Sequence, residues 1–213
     1  MSSTRPLYLA SRSPRRRALL DQIGVRHRIV AVDLDETPHP TESPTDLVIR
    51  LALAKARAGR SAILAAPAAY GADGPEIAIL AADTSVVVDS QILGKPRTRD
   101  EGLAMLACLS GRAHRVVTGI ALLHDGIEQT ASSDSQVLFR PITPAEATAY
   151  WATGEPCDKA GAYAIQGLGA LFVTQIVGSY SGVMGLPLFE TAQLLTTAGF
   201  DPLVAAGDAT PCA

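Results

Sequence analysis

Three stretches of the chain concentrate side chains suited to chemistry on a charged ligand. The first, Ser11-Arg12-Ser13-Pro14-Arg15-Arg16-Arg17, follows a short apolar run and opens a helical pattern. A helix N-terminus offers unpaired backbone N–H groups and partial positive charge, so added hydroxyls and guanidiniums make a site for a polyphosphate. Cations in a first helical turn cost roughly a few tenths of a kcal/mol each, so three consecutive arginines there ask for a compensating anion. The competing reading is a solvated basic turn.

The second stretch is Ala81-Ala82-Asp83-Thr84, between the apolar runs Ile77–Ala81 and Ser85–Asp89. A carboxylate projected from a strand can hold a divalent ion or take a proton from an attacking water. Taken alone, the tetrapeptide reads better as a turn aspartate capping its neighbour. Asp83 therefore needs partners, and candidates exist: Glu36 in Asp33-Leu34-Asp35-Glu36, Lys55 in the apolar pattern Leu51–Ala56, and Lys95 in Gly94-Lys95-Pro96. Each has an ordinary alternative, a solvated loop acid or a snorkelling lysine.

The third stretch is Asp158-Lys159-Ala160-Gly161-Ala162-Tyr163-Ala164-Ile165-Gln166-Gly167-Leu168-Gly169. Its glycines let backbone approach a ligand, Lys159 suits phosphate, and the Gln166 amide offers a donor and an acceptor to a base edge. The chain has no GxxxxGK[ST], no GxGxxG opening a helix and no GxSxG, which excludes a P-loop and leaves a dinucleotide fold and a nucleophile elbow unsupported. His27, His39, His114 and His124 have no ligand spacing and read as structural or exposed.

A net charge of −3 argues against holding long nucleic acid, which needs a broad basic surface, but leaves room for a local basic pocket. Charged residues at 18% and hydrophobic ones at 47% place the chain among globular proteins. Cys108, Cys157 and Cys212 are distant and odd in number, so neither a disulfide framework nor a zinc knuckle is indicated and a reducing compartment fits best. With no signal-peptide pattern at the start and no bilayer-length apolar run, the chain reads as cytoplasmic, without a membrane partner.

The elements that must position these residues alternate between strand and helix. Strands are expected at Leu7–Ala10, Ile29–Val32, Ile77–Ala81, Ser85–Asp89, Arg115–Leu123, Gln136–Phe139 and Leu171–Ile176. The break at Ala82-Asp83-Thr84 puts Asp83 at a strand end or kink. Helices are expected at Arg15–Ile23 with Ser13 as N-cap, Thr45–Arg60 with Ser43 and Asp46 in capping-box spacing, Arg99–Leu109, Thr143 to Gly154, and Pro187–Ala198. The Ala, Gly and Pro-rich stretch Ala65–Gly74 reads as a surface excursion, Gly178–Gly185 as a Gly/Ser-rich segment, and the tail after Asp201 as frayed. The pattern indicates an α/β or α+β fold on a mixed sheet.

Taken jointly and in order, Ser11-Arg12-Ser13-Pro14-Arg15-Arg16, Ala82-Asp83-Thr84, Gly94-Lys95-Pro96, Leu109-Ser110-Gly111 with His114, Thr118-Gly119, Asp158–Tyr163, Ile165-Gln166-Gly167 and Val183–Leu188 resemble the Maf family of nucleotide pyrophosphatases over about residues 7–198. The resemblance implies a single domain over 1–200 with a C-terminal tail at 201–213. Its fold would be α/β, two-lobed around an elongated mixed sheet, inosine triphosphate pyrophosphatase-like (Maf/Ham1-like), with the nucleotide between the lobes. It implies hydrolysis of a nucleoside triphosphate to monophosphate and pyrophosphate with a divalent metal cation, Mg2+ or Mn2+, a homodimer, a house-cleaning role, and a link to septum formation and division arrest. The segment Asp158–Gly167 looks like the branch acting on dTTP and UTP and departs from the 7-methyl-GTP branch. Carried over by motif, Asp83 is the expected proton acceptor, Glu36 and Asp83 hold the metal, and Arg15, Thr84 and Gln166 set base preference. Ser11, Arg16, Lys55, Lys95 and Lys159 are expected around the phosphates. The rival expectation is a nucleotide-binding regulator acting through a protein partner. Ala65–Gly74, which resembles an insertion, and Cys157 depart from the family pattern without touching the expected chemistry.

Overall fold

A computed structural model describes residues 6–72 and 76–203. In chain order its elements are β1 (Leu7–Leu9), α1 (Pro14–Gln22), β2 (Arg28–Ile29), α2 (Pro44–Ala65), α3 (Pro67–Tyr70), β3 (Ala78–Val88), β4 (Gln91–Leu93), α4 (Arg99–Leu109), β5 (Ala113–His124), β6 (Ile127–Phe139), α5 (Pro144–Ala152), β7 (Val173–Val177), α6 (Tyr180–Met184) and α7 (Leu188–Thr197), with three 3-10 turns between α5 and β7. The seven strands form one mixed sheet in the order β2-β1-β3-β5-β6-β7, with β4 paired to β3. The fold is therefore α/β, as the alternation of strand and helix patterns predicts.

The chain divides into two compact units. One comprises the chain to Asp83, Gly119–Ser132 and the chain from Gly185; the other comprises Thr84–Thr118 and Ser133–Met184. In the first unit β1 pairs in parallel with β2 and with the start of β3, Tyr8 facing Arg28 and Ile79. Helix α2 packs there through Leu51, Ala52, Ala56 and Ile63, at the three-and-four spacing of an amphipathic helix. Its core partners include Tyr8, Ala10, Val30, Ile79 and Ala121. Gly119 fixes how near α2 can come: a Cβ there would sit 2.6 Å from the Val48 carbonyl carbon. Ser43 caps α2, its hydroxyl accepting from the Asp46 N–H at 3.1 Å, as the spacing predicts.

In the second unit β4 returns antiparallel along the end of β3 and β7 lies antiparallel on β6. Helices α4 and α5 cover a core of Val86, Leu106, Leu109, Val137, Phe139, Tyr150, Tyr163 and Phe172. Helix α5 opens with a full capping box between Thr143 and Glu146. His114 is 3% exposed, shares a hydrogen bond of 2.9 Å with the Tyr163 hydroxyl, and is driven down to about 4 by burial, so it sits neutral in this core.

Several expectations change. Strand β3 is continuous, so Asp83 stands in mid-strand and not at an end or kink. The polar pair does not break the strand because both side chains find partners inside the protein, as described below. Strand β6 runs from Ile127, well before the expected Gln136; its first half is polar because that part faces solvent, with alternating burial further on. The two-residue link between β5 and β6, Asp125 at φ 50° and Gly126 at φ 78°, has the double positive φ of a tight hairpin turn. Strand β2 is shorter than expected, ending at Ile29. Helix α2 continues to Ala65, and the stretch after it holds α3, which Arg28 pins by donating to the Tyr70 carbonyl at 3.0 Å and to that of Gly71. The Gly/Ser-rich segment before Gly185 contains α6. Most of the tail expected to fray lies outside the described residues, as does Cys212; Cys108 and Cys157 are free thiols. Among the described residues no helix is long and apolar enough to cross a membrane.

Candidate active site

In the first unit, five of the expected residues converge. Lys55 occupies the core-facing stripe of α2, one turn after Leu51 and Ala52 and one before Gly59. An ammonium at such a position must be hydrated or matched by anions. Here it is matched: Lys55 Nζ lies 2.6 Å from Asp83 Oδ1 and 2.5 Å from Glu36 Oε1. Lys55 is only 9% exposed and Asp83 8%, whereas the Glu36 side chain is 47% exposed. The lysine is therefore a bridge between two carboxylates and does not snorkel to the surface.

Arg16 completes the group. Its Nε donates to the Gly185 carbonyl at 2.7 Å and its Nη1 to Ser11 Oγ at 3.4 Å. The buried Ser11 hydroxyl oxygen also accepts from the Ser13 N–H at 3.1 Å, so Ser11 orders the entry to α1. Ser13 does occupy the N-cap position, but its side chain makes no capping hydrogen bond. Burial lowers the Arg16 pKa, Asp83 pushes it back up, the neighbouring Arg15 lowers it, and Glu36 raises it. Part of the anionic compensation expected for the arginine run is thus supplied by the protein. Arg12 lies 3.8 Å from Asp33 and Arg17 3.8 Å from Asp21, both exposed pairs.

Asp83 is the chemically tuned member. Burial raises its pKa above the usual aspartate value; Lys55 and Arg16 oppose that shift and Glu36 adds to it. A carboxylate made more basic by its surroundings, yet held by one ammonium on one oxygen, is suited to accept a proton from water.

Arg15 lies on α1 in the first unit, and the second unit holds the other four expected residues, Thr84, Lys95, Lys159 and Gln166. Thr84 and Thr118 have their hydroxyl oxygens 2.9 Å apart, and Thr118, fully buried, donates to the Gly182 carbonyl at 2.8 Å. A carbonyl can only accept and a hydroxyl has one proton, so Thr118 spends its proton on Gly182 and Thr84 spends its own on Thr118. The Thr84 oxygen is thereby set as an acceptor toward anything else. In the sequence Thr118 stands out only as a threonine within an apolar strand run.

Lys95 and Lys159 lie on segments joined by the hydrogen bond from the Gly161 N–H to the Gly94 carbonyl, 3.1 Å. Lys95 is exposed, and Lys159 is paired with Asp158. Gly161 has φ 68°, and a Cβ on it would lie 2.9 Å from Val86 Cγ1, so this junction needs glycine twice over. Gln166 is exposed, directly after the buried Ile165. Around it runs a network that sequence reading missed altogether. Tyr150 Oη donates to Glu155 Oε1 at 2.6 Å and accepts from the Ala164 N–H at 3.1 Å, while Glu155 accepts from the N–H groups of Leu168 and Gly169, each at 3.0 Å. Burial tends to raise the Glu155 pKa, but the Tyr150 hydroxyl, these backbone donors and Lys159 outweigh it and leave the carboxylate below its ordinary value. Burial and Glu155 hold the Tyr150 phenol protonated, as its donor role requires.

Among the described residues no three His, Cys, Asp or Glu side chains form a metal-binding group. The oxygens of Asp83 and Glu36 nevertheless meet at one cationic point.

Known proteins similar to this chain cover most of its length. A dTTP/UTP pyrophosphatase of Alkalilimnicola ehrlichii is 54% identical over 189 residues, covering 89% of this chain and 91% of the relative. A protein of the same name from Aromatoleum aromaticum is 49% identical over 203 residues, covering 91% and 96%. Another from Nitrosomonas europaea is 49% identical over 201 residues, covering 91% and 94%. Among solved structures, the Staphylococcus aureus Ham1 protein matches with a TM-score of 0.42 and 12% identity over 63% of this chain and 72% of that one. The Maf-like protein family model matches residues 6–198, and the chain belongs to the Maf family.

Proposed function

We propose that this protein is a nucleoside triphosphate pyrophosphatase that hydrolyses dTTP and UTP to the monophosphate and pyrophosphate. The observation that carries the reading is the buried, basicity-raised Asp83 held at 2.6 Å by Lys55 within a cationic set that includes Arg16. The substrate class comes from the dTTP/UTP pyrophosphatases to which the chain is about half identical over nearly its whole length.

In this reading Asp83 orients the attacking water and takes its proton, which is typically worth about 10²–10⁴-fold in rate. Lys55 fixes the carboxylate and, with Arg16, opposes the charge that develops on the phosphoryl oxygens. Ser11 holds Arg16 and the start of α1 in place; Lys95 and Lys159 bind phosphate oxygens. Arg15, Thr84 and Gln166 face the base. The Thr84 oxygen, set as an acceptor, suits the N3–H shared by thymine and uracil and opposes cytosine, whose N3 is itself an acceptor.

Glu36 and Asp83 fit a divalent cation. They are hard oxygen donors that already converge on one positive charge, and Mg2+ or Mn2+ is commonly held by one or two carboxylates together with substrate phosphates. When bound, such an ion supplies electrostatic stabilisation of phosphate charge.

The test is release of pyrophosphate from a panel of dTTP, UTP, dCTP, CTP and 7-methyl-GTP with Mg2+ or Mn2+. The expected result is turnover confined mainly to dTTP and UTP. Preference for 7-methyl-GTP would reassign the branch, and nucleotide binding without turnover would favour a regulatory role.

A further inference from the structure

The segment that presents Gln166 is clamped on both sides by two residues that carry no role in the site described above. Before Gln166, the Ala164 N–H donates to Tyr150 Oη at 3.1 Å, and Ile165 is buried at 5% exposure. After it, the Leu168 N–H meets Glu155 Oε2 and the Gly169 N–H meets Glu155 Oε1, each at 3.0 Å. The two anchors are joined by the Tyr150 to Glu155 hydrogen bond of 2.6 Å. The turn also closes on itself, the Gly167 N–H donating to the Ala164 carbonyl at 3.2 Å.

The glycines are there for the carboxylate. A Cβ on Gly167 would lie 2.2 Å from Glu155 Oε2, and one on Gly169 would lie 2.7 Å from both the Tyr150 hydroxyl and the Ala164 carbonyl oxygen. Neither glycine has a positive φ, so backbone handedness does not explain them. What they supply is room for Glu155 and Tyr150 to reach the backbone of the loop.

We infer that Glu155 and Tyr150 are positioning residues for base selection, holding the 164–169 turn in the single conformation that aims the exposed Gln166 amide at the base. The inference rests on the reading of Gln166 as a base-contacting residue. Both carboxylate oxygens are used as acceptors, which glutamine cannot reproduce: its amide nitrogen would confront an N–H or O–H donor. Loss of one anchor lets the turn sample other conformations, so the Gln166 amide is ordered only when substrate binds and its contribution to discrimination falls.

The experiment compares kcat/KM for dTTP and dCTP in wild type, Glu155→Gln, Gln166→Ala and the double variant. The expected result is a fall of about three- to tenfold in the dTTP to dCTP ratio for Glu155→Gln, the size of one net hydrogen bond, and no further fall when it is added to Gln166→Ala. That non-additivity is what a general structural role would not produce. A Glu155→Gln enzyme with the wild-type ratio, or a double variant whose losses simply add, overturns the inference. If Gln166→Ala itself leaves the ratio unchanged, the reading of Gln166 fails and the inference with it; if Gln166→Ala lowers the ratio and Glu155→Gln does not, only the inference fails. Should Glu155→Gln not fold, Tyr150→Phe keeps the ring in the core, removes the hydroxyl that bonds Ala164 and Glu155, and is held to the same ratio.

Discussion

Asp83, Lys55 and Thr118 show how single side chains in a hydrophobic sheet acquire chemical direction. Asp83 is more basic than an ordinary aspartate because burial penalises its charge more than Lys55 and Arg16 relieve it. Thr118 acts by proton bookkeeping alone: its bond to the Gly182 carbonyl forces Thr84 to donate and so leaves Thr84 an acceptor. This predicts that Thr118→Val, which keeps the shape and removes the hydroxyl, frees Thr84 to rotate and donate. The kcat/KM ratio of dTTP to dCTP should then fall by about two- to tenfold, the span of a net hydrogen bond of about 0.5–1.5 kcal/mol, while Thr118→Ser retains it. An unchanged ratio in Thr118→Val would refute the polarity argument. The sequence shows which of these residues are unusual, a lysine in an apolar helix and an aspartate in an apolar strand. It does not show that they meet, because the Lys55–Asp83 contact joins positions 28 residues apart. Glu155 carried no signal at all: a lone acid after a glycine looks the same whether it is solvated or clamps a turn.

At the level of elements, the strands and helices with strong periodicity were legible and their limits were set by partners that lie elsewhere in the chain. Helix α4 spans Arg99–Leu109 as expected, since Thr98 caps it through the Glu101 N–H and the apolar positions repeat every three or four residues. Strand β3 reads as two in the sequence because Asp83 and Thr84 resemble a turn when their hydrogen-bond partners are out of view. Strand β6 was cut short because a solvated polar half has no apolar alternation to read. Close packing of elements is equally invisible in sequence except through glycine. At Gly119 the backbone of α2 passes so near β5 that a Cβ would meet three backbone atoms of Val48 and Ile49 at 2.6–2.8 Å. Backbone cannot yield as a flexible side chain can, so Gly119→Ala is expected to lower stability by about 1–3 kcal/mol, readable as a drop of roughly 2–12 °C in Tm for a protein of this size. A Tm within 1 °C of wild type would show that the helix can retreat at no cost.

For the molecule as a whole, fold class and family were accessible from the order of motifs, and the division of labour was not. Ser11, Arg15, Arg16, Glu36, Lys55 and Asp83 belong to one compact unit, with both groups proposed for water and metal among them, while Thr84, Lys95, Lys159 and Gln166 belong to the other. Asp83 and Thr84 are consecutive residues of β3, so a single strand carries the proposed proton acceptor and a proposed base-reading group. The low overall charge of −3 fits this economy: the cations proposed for the ligand are placed locally, on α1, α2 and two loops. The most direct measurement of the central claim is the product analysis of dTTP and UTP incubated with wild-type enzyme and with Asp83→Asn in Mg2+ or Mn2+. Wild type should yield monophosphate and pyrophosphate in equal amounts, and Asp83→Asn, which preserves size but cannot take the proton, should be slower by about 10²-fold or more. Diphosphate and inorganic phosphate as products, or an Asp83→Asn enzyme that works at the wild-type rate, would contradict the account.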